Sequence, residues 1–175
     1  MKYIKIETES INRKLFAHFL RHQRVTKCWR KIDGKWFIKE ITFIDDWTEE
    51  KYDKLFISLK DTVATGGLVL GAFLNKDLKG FISIEPNLFG KNKEYLDLAN
   101  IHVSEEMRGK GIGKELFHNA KIWAKECGAQ KLYISGHSAV ETQAFYRAMG
   151  CVEAQEYSIK HVVKEPCDCQ LECKV

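Results

Sequence analysis

The sequence predicts a mixed α/β fold, a central sheet with helices packed on its faces. Three observations predict it. An apolar run, Leu96 to Val103, is followed by Arg108-Gly109-Lys110-Gly111-Ile112-Gly113-Lys114 and then by an amphipathic pattern from Ile112 to Cys127, which reads as strand, glycine turn, helix. Asp33-Gly34 lies between two arms suited to β-structure and is a strong short-range hairpin signal. At the end of the chain, Cys167, Cys169, Leu171, Cys173 and Val175 alternate with Asp168, Gln170, Glu172 and Lys174, the period of a half-buried strand.

The elements follow in order. Residues 10–22 read as a helix, with Ser10 as N-cap and Ile11, Leu15, Phe16, Phe19 and Leu20 on one apolar face. Thr26 to Asp46 reads as the hairpin. Thr48 is placed to cap a following helix, Glu49 and Glu50 suit its dipole, and Tyr52, Leu55, Phe56, Leu59 and Val63 form its buried stripe. Gly66-Gly67 ends it. Leu68 to Leu74 and Phe81 to Ile84 are strands around an Asn75-Lys76-Asp77 turn. Tyr95 to Val103 feeds the glycine stretch, and the helix beyond it stops at Gly128. Leu132 to Ile134 is a short strand. Ser138-Ala139-Val140-Glu141 has the form of a capping box, and the helix it starts ends at Gly150. Cys151 to Ala154 begins another strand, and Pro166 introduces the last. The strand–helix–strand unit from Leu96 to Ile134 is expected to be a parallel crossover, with a ligand at the carboxyl end of its first strand.

The 175 residues suit one domain spanning 1–175, and 45% hydrophobic with 30% charged residues is the balance of a folded chain. A net charge of +4, spread along the chain, does not point to nucleic acid. No apolar run is long enough for a membrane span, and the start of the chain lacks the apolar stretch of a signal peptide, so a cytoplasmic location is expected. The six cysteines contain no C-x2-C pair, and no metal site is expected from them.

The glycine stretch carries the chemistry. Glycines at alternate positions opening a helix leave backbone N–H groups free for an anion, and Arg108, Lys110 and Lys114 add positive charge. A Walker loop would need Gly where Arg108 stands and Ser or Thr where Glu115 stands. A dinucleotide fingerprint would need Gly where Lys114 stands. What remains is R-x-x-G-x-G, which by itself is also compatible with a glycine turn bearing solvated lysines. In its setting, with a strand before it and Phe145-Tyr146-Arg147-Ala148-Met149-Gly150 on a later helix, it resembles the pyrophosphate-binding signature of the GCN5-related N-acetyltransferases (GNAT). The resemblance covers Leu68 to Val175 and implies a mostly antiparallel mixed sheet flanked by helices on both faces. Residues 68–175 would be the acetyl-CoA-binding core, and residues 1–67 the acceptor side.

The resemblance also implies roles. The N–H groups of Gly109, Lys110, Gly111, Ile112, Gly113 and Lys114, with Arg108, would hold the coenzyme A pyrophosphate. The main chain of Ile101 and Val103, around His102, would pair with the pantetheine arm. Tyr146 would protonate the departing thiolate or hydrogen-bond the sulfur; its plainer reading is a half-buried helix aromatic with a solvated hydroxyl. Asp97, eleven positions before Arg108, is the expected general base, with Glu85, His137 or a water chain as alternatives. The plainer reading of Asp97 is a strand-entry residue or an ion pair. Simple alternation places Asp97, Ala99 and Ile101 on one face and Leu98, Asn100 and His102 on the other, unless a bulge changes the parity. Ala139 and Cys151 depart from the family pattern, which commonly has an Asn and, after the glycine, a Phe. The co-substrate implied is acetyl-CoA, without a metal. The partner implied is an amine, small molecule or peptide, with a homodimer left open. Trp29, Trp36, Asp45, Asp46 and Trp47 either line the acceptor site or pack the hairpin. The competing function is an acyl-CoA-sensing module without turnover.

Overall fold

The structure is a computed structural model that describes all of residues 1–175. Along the chain it runs β1 (Lys2–Lys5), β2 (Arg24–Ile32), β3 (Lys35–Ile44), α1 (Glu49–Ala64), β4 (Leu68–Leu74), β5 (Asp77–Ile84), β6 (Tyr95–Val103), α2 (Ile112–Glu126), β7 (Lys131–Gly136), α3 (Val140–Ala148), β8 (Val152–Glu153), α4 (Ile159–Lys164) and β9 (Cys169–Lys174). Seven strands form one sheet in the order β1-β4-β5-β6-β7-β9-β8, and β2-β3 stand apart as a two-stranded ribbon. Every pairing is antiparallel except β6 with β7, the two strands joined through α2.

The alternation of side chains along β4 and β5 decides which helix covers which face. Leu68, Leu70, Ile82 and Ile84 meet Ile112, Leu116 and Phe117 of α2 and Tyr146 of α3 in the main core. Val69 and Phe81 point the other way, into a second core with Tyr52, Leu55, Phe56 and Leu59 of α1. Burying each of these large apolar side chains contributes roughly 1.5–3 kcal/mol. The α1 stripe ends on Thr62, which is fully buried, and Val63 is only half-buried. Thr48 caps α1, its hydroxyl accepting from the Lys51 N–H at 3.3 Å. The β2–β3 turn falls on Asp33 and Gly34, both at positive φ, as expected.

Four local expectations are corrected. Residues 10–22 form no α-helix. A single 3-10 turn at Thr8–Ser10 is followed by turns in which Leu15, Phe16 and Ala17 donate to carbonyls three residues back. Asn12 Oδ1 accepts from the N–H groups of Lys14 and Leu15, which competes with helix formation. Phe16 then seats against Phe19, Tyr52, Phe56 and Phe81, while Leu20 stays exposed. Ser138 does not cap α3. Its hydroxyl accepts from Arg30 Nη1 at 2.6 Å, and the helix starts one residue later with Ala139 at the cap position.

The other two corrections concern strands. β9 is not half-buried, because both of its faces are covered. Gln170 and Glu172 are buried and accept from the hydroxyls of Tyr133 and Tyr95, each at 2.6 Å. In β6 the pairing to β5 slips by one residue, from Ser83↔Asn100 to Ile84↔Leu98, so Ala99 is a bulge. The bulge swaps the expected faces. Leu96, Leu98, Ile101 and Val103 all join the α2 side, whereas His102 packs on Phe81 and Trp47 on the α1 side.

Candidate active site

The site is built where β6 hands over to α2. Gly111 stands at the cap position of α2 with φ +81°, and Gly109 has φ +74°. A side chain at Gly111 would meet no protein atom within 4 Å but would force a backbone conformation that L residues rarely adopt. None of the N–H groups from Gly109 to Lys114 finds an acceptor within the chain. They gather at the positive end of the α2 dipole, a site shaped for an anion. Arg108, Gly109, Gly111, Ile112, Gly113 and Lys114 line a cleft of about 690 Å³. Lys110 does not line it; its ammonium turns back to the Met107 sulfur at 3.6 Å. Arg108 donates from Nε to the Val103 carbonyl at 3.2 Å and so ties the loop to the strand it leaves.

The cleft extends along β6 because the sheet splits there. β6 and β7 pair only from Tyr95↔Lys131 to Asp97↔Tyr133. Beyond that, Ile134, Ser135 and Gly136 pair with β9 alone, and Ala99 to Val103 keep a free edge toward β7. Ile101, His102 and Val103 line the opening. A free strand edge is a ladder of unused donors and acceptors for an extended ligand. The His102 side chain turns to the α1 side. Burial, with the Arg21 charge nearby, pushes its imidazole down to about 3, so it is neutral at pH 7.

Tyr146 projects from α3 into the same cleft. The side chain is buried, and burial raises its hydroxyl well above the ordinary tyrosine range, so it stays protonated at neutral pH. Gly136 makes room for it, since a Cβ there would lie 2.9 Å from the Tyr146 ring. Phe145 lies over Gly113 and against Phe117, locking α3 onto α2.

The expected bases lie elsewhere. Asp97 is buried and does not line the cleft. Its Oδ2 is 2.7 Å from His161 Nε2 on α4, and its Oδ1 is buried without a partner. Glu85 Oε1 accepts from the Thr62 hydroxyl at 2.7 Å. His137 Nδ1 accepts from the Ala139 N–H at 3.2 Å, and its ring meets Phe43.

The residues considered for the acceptor divide. Trp29 and Trp36 line a separate cavity of about 320 Å³. There the Arg147 guanidinium covers Trp29, and Trp36 donates to Glu153. Trp47 packs on His102, and Asp45 pairs with Arg21 and Lys51. Asp46 pairs with His22.

Arg21, Gln23 and Arg24 line the cleft without any motif to mark them. Ser104 brings them there, as its hydroxyl accepts from the Leu20 N–H at 2.8 Å and Glu105 N–H donates to the Leu20 carbonyl. No group of three or more His, Cys, Asp or Glu side chains is arranged to hold a metal ion. No helix is long and apolar enough to cross a membrane.

The acetyltransferase (GNAT) family matches residues 29–151, a span that contains β6, the glycine loop, α2 and Tyr146. The chain belongs to the GNAT acetyltransferase family. It is accordingly an acyltransferase. No curated protein matches the sequence.

Solved structures share the fold of this GNAT protein along its whole length. A protein assigned as a streptothricin acetyltransferase, from Bacillus anthracis str. Ames and in complex with acetyl coenzyme A, is 18% identical with a TM-score of 0.71, covering 99% of each chain. Nourseothricin acetyltransferase is 14% identical with a TM-score of 0.70, covering 99% of this chain and 97% of its own. The PaiA N-acetyltransferase of Thermoplasma acidophilum, in complex with coenzyme A, is 16% identical with a TM-score of 0.61, covering 99% and 98%.

Proposed function

We propose that this GNAT acetyltransferase moves an acetyl group from acetyl-CoA to a primary amine by direct attack in a ternary complex. The observation that carries this is one continuous cleft. It holds the unpartnered N–H groups of Gly109 to Lys114 at one end, the free edge of β6 along its length, and the Tyr146 side chain. The acetyl-CoA and coenzyme A held by proteins of the same fold support the donor.

Each group has a task in this reaction. The loop N–H groups and Lys114 bind the pyrophosphate. The main chain of Ile101 and Val103 pairs with the pantetheine and directs the thioester away from the loop, up the split. A main-chain N–H of β6 stabilises the tetrahedral oxyanion. Tyr146, protonated at neutral pH, gives its proton to the departing thiolate.

The test is release of free thiol from acetyl-CoA with a panel of amines. The panel includes streptothricin-type and aminoglycoside antibiotics, polyamines, amino acids and peptides. Saturable thiol release with an acetylated amine as product is expected. Tight acetyl-CoA binding with no transfer to any amine contradicts the proposal.

A further inference from the structure

The reaction needs a base. Glu105 and Glu141 line the cleft beside the glycine loop and on α3, whereas Asp97 of β6 and its partner His161 lie outside that lining, on the opposite face of the sheet at the start of the split. We propose that His161, oriented by Asp97, is the general base that takes the proton from the acceptor ammonium. This inference rests on the transfer reaction proposed above.

The geometry places the pair where the sheet begins to open. Asp97 and Tyr133 are the last paired residues of β6 and β7. α4 lays the His161 imidazole nearly parallel to the Tyr133 ring, centroids 5.6 Å apart and planes 26° apart. His161 Nε2 lies 2.7 Å from Asp97 Oδ2, and Asp97 is 7% exposed. A buried carboxylate at that distance fixes the tautomer, with the proton on Nε2 and the lone pair on Nδ1. Nδ1 has no partner and is not among the sealed polar atoms, and the side chain keeps 16% of its surface open.

The pair lies on the α1 side of the sheet, since Tyr95 and Tyr133 face away from the core that holds α2 and α3. The loop and Tyr146 are on the other side. A thioester directed up the free edge of β6 therefore approaches the split from one side, and the amine reaches it from the side of His161.

The other charged groups around the pair are consistent with this role. Asp168 senses both His161 and His137, and burial raises its carboxyl. The Glu165 N–H donates to the His161 carbonyl at 2.8 Å. Lys160 and Lys164 are exposed on α4 itself. Asp97 is thus the carboxylate in direct contact with the base, and the lysines of the base's own helix face solvent.

The step balances. His161 Nδ1 takes one proton from the ammonium and becomes an imidazolium held by Asp97. The amine lone pair forms the C–N bond, and the C–S bond breaks with its electron pair going to sulfur. Tyr146 gives its proton to the thiolate, and the second nitrogen proton, released as the amide forms, restores the Tyr146 hydroxyl, directly or through solvent. The imidazolium returns its proton to solvent.

The test compares wild type, His161→Gln and His161→Ala, using the amine that the thiol-release panel identifies. Gln can still donate to Asp97 but cannot accept the proton. His161→Gln is expected to lose about 100-fold in kcat and the ascending limb of the rate–pH profile, with acetyl-CoA affinity by calorimetry unchanged. Added imidazole is expected to restore part of the rate of His161→Ala. Wild-type kcat and an unchanged pH profile in His161→Gln would overturn the assignment. If wild type transfers to no amine, the transfer reaction itself falls and His161 has no base role to play; if wild type is active and His161→Gln equally so, only the base is wrong.

Discussion

Tyr146 meets two opposed demands, a buried ring and a hydroxyl available to the cleft. Gly136 satisfies the first by leaving space that a methyl group would fill, and burial keeps the phenol protonated. Tyr146→Phe keeps the ring and removes the proton donor. It is expected to lower kcat by roughly 100-fold while acetyl-CoA affinity stays close to wild type; steady-state kinetics and calorimetry check the split. An unchanged kcat would remove the acid role. At this scale the sequence indicated position where a residue type and a spacing coincide, as for Tyr146 and the loop glycines, which all line the cleft. It was uninformative where a side chain's direction depends on one distant pairing. Ala99 shows why: nothing local marks the slip against Ser83 and Ile84, yet it reverses the faces of every later residue in β6. Asp97 was visible as a carboxylate on the motif strand, but its His161 partner lies 64 residues away and no spacing joins them.

Among the elements, those with a complete local code formed where expected. The Asp33-Gly34 hairpin, the Thr48-capped α1 and the glycine-opened α2 each carry start and stop signals that agree with their burial pattern. Thr48→Ala is expected to cost about 1 kcal/mol of stability without changing acetyl-CoA affinity, as measured by denaturant unfolding and calorimetry. A matching loss of affinity would show that α1 shapes the cleft more closely than its packing implies. Elements with a competing local bond went the other way. Residues 10–22 have helical spacing, but the Asn12 side chain takes the early N–H groups, and the aromatic cluster around Phe16 rewards a tighter path. That path delivers Leu20 to Ser104 and Arg21 to the cleft. Ser138 has a capping-box sequence but is taken by Arg30 of the hairpin. α4 is a six-residue helix, too short for its Ile159, Val162 and Val163 to mark it, and Ile159 and Val163 stay exposed.

For the whole molecule, the decisive feature is a sheet that is parallel at one place and splits there. The crossover through α2 makes β6 and β7 neighbours, β9 draws β7 away, and the free edge of β6 opens between two helical layers. The anion-binding loop and Tyr146 lie on one face of the sheet, and Asp97 of β6 with His161 of α4 lies on the other. In the proposed transfer the donor would lie along the first face and the amine would enter from the second. The central claim is that the α2 N-terminus anchors the donor, and calorimetric titration of acetyl-CoA into wild type and Gly111→Val tests it. The substitution places a β-branched residue at positive φ and is expected to cost about 1–2 kcal/mol of stability. It is also expected to weaken acetyl-CoA binding at least tenfold, about 1.4 kcal/mol, in protein that remains folded. Undiminished affinity in folded Gly111→Val would contradict the assignment of the loop.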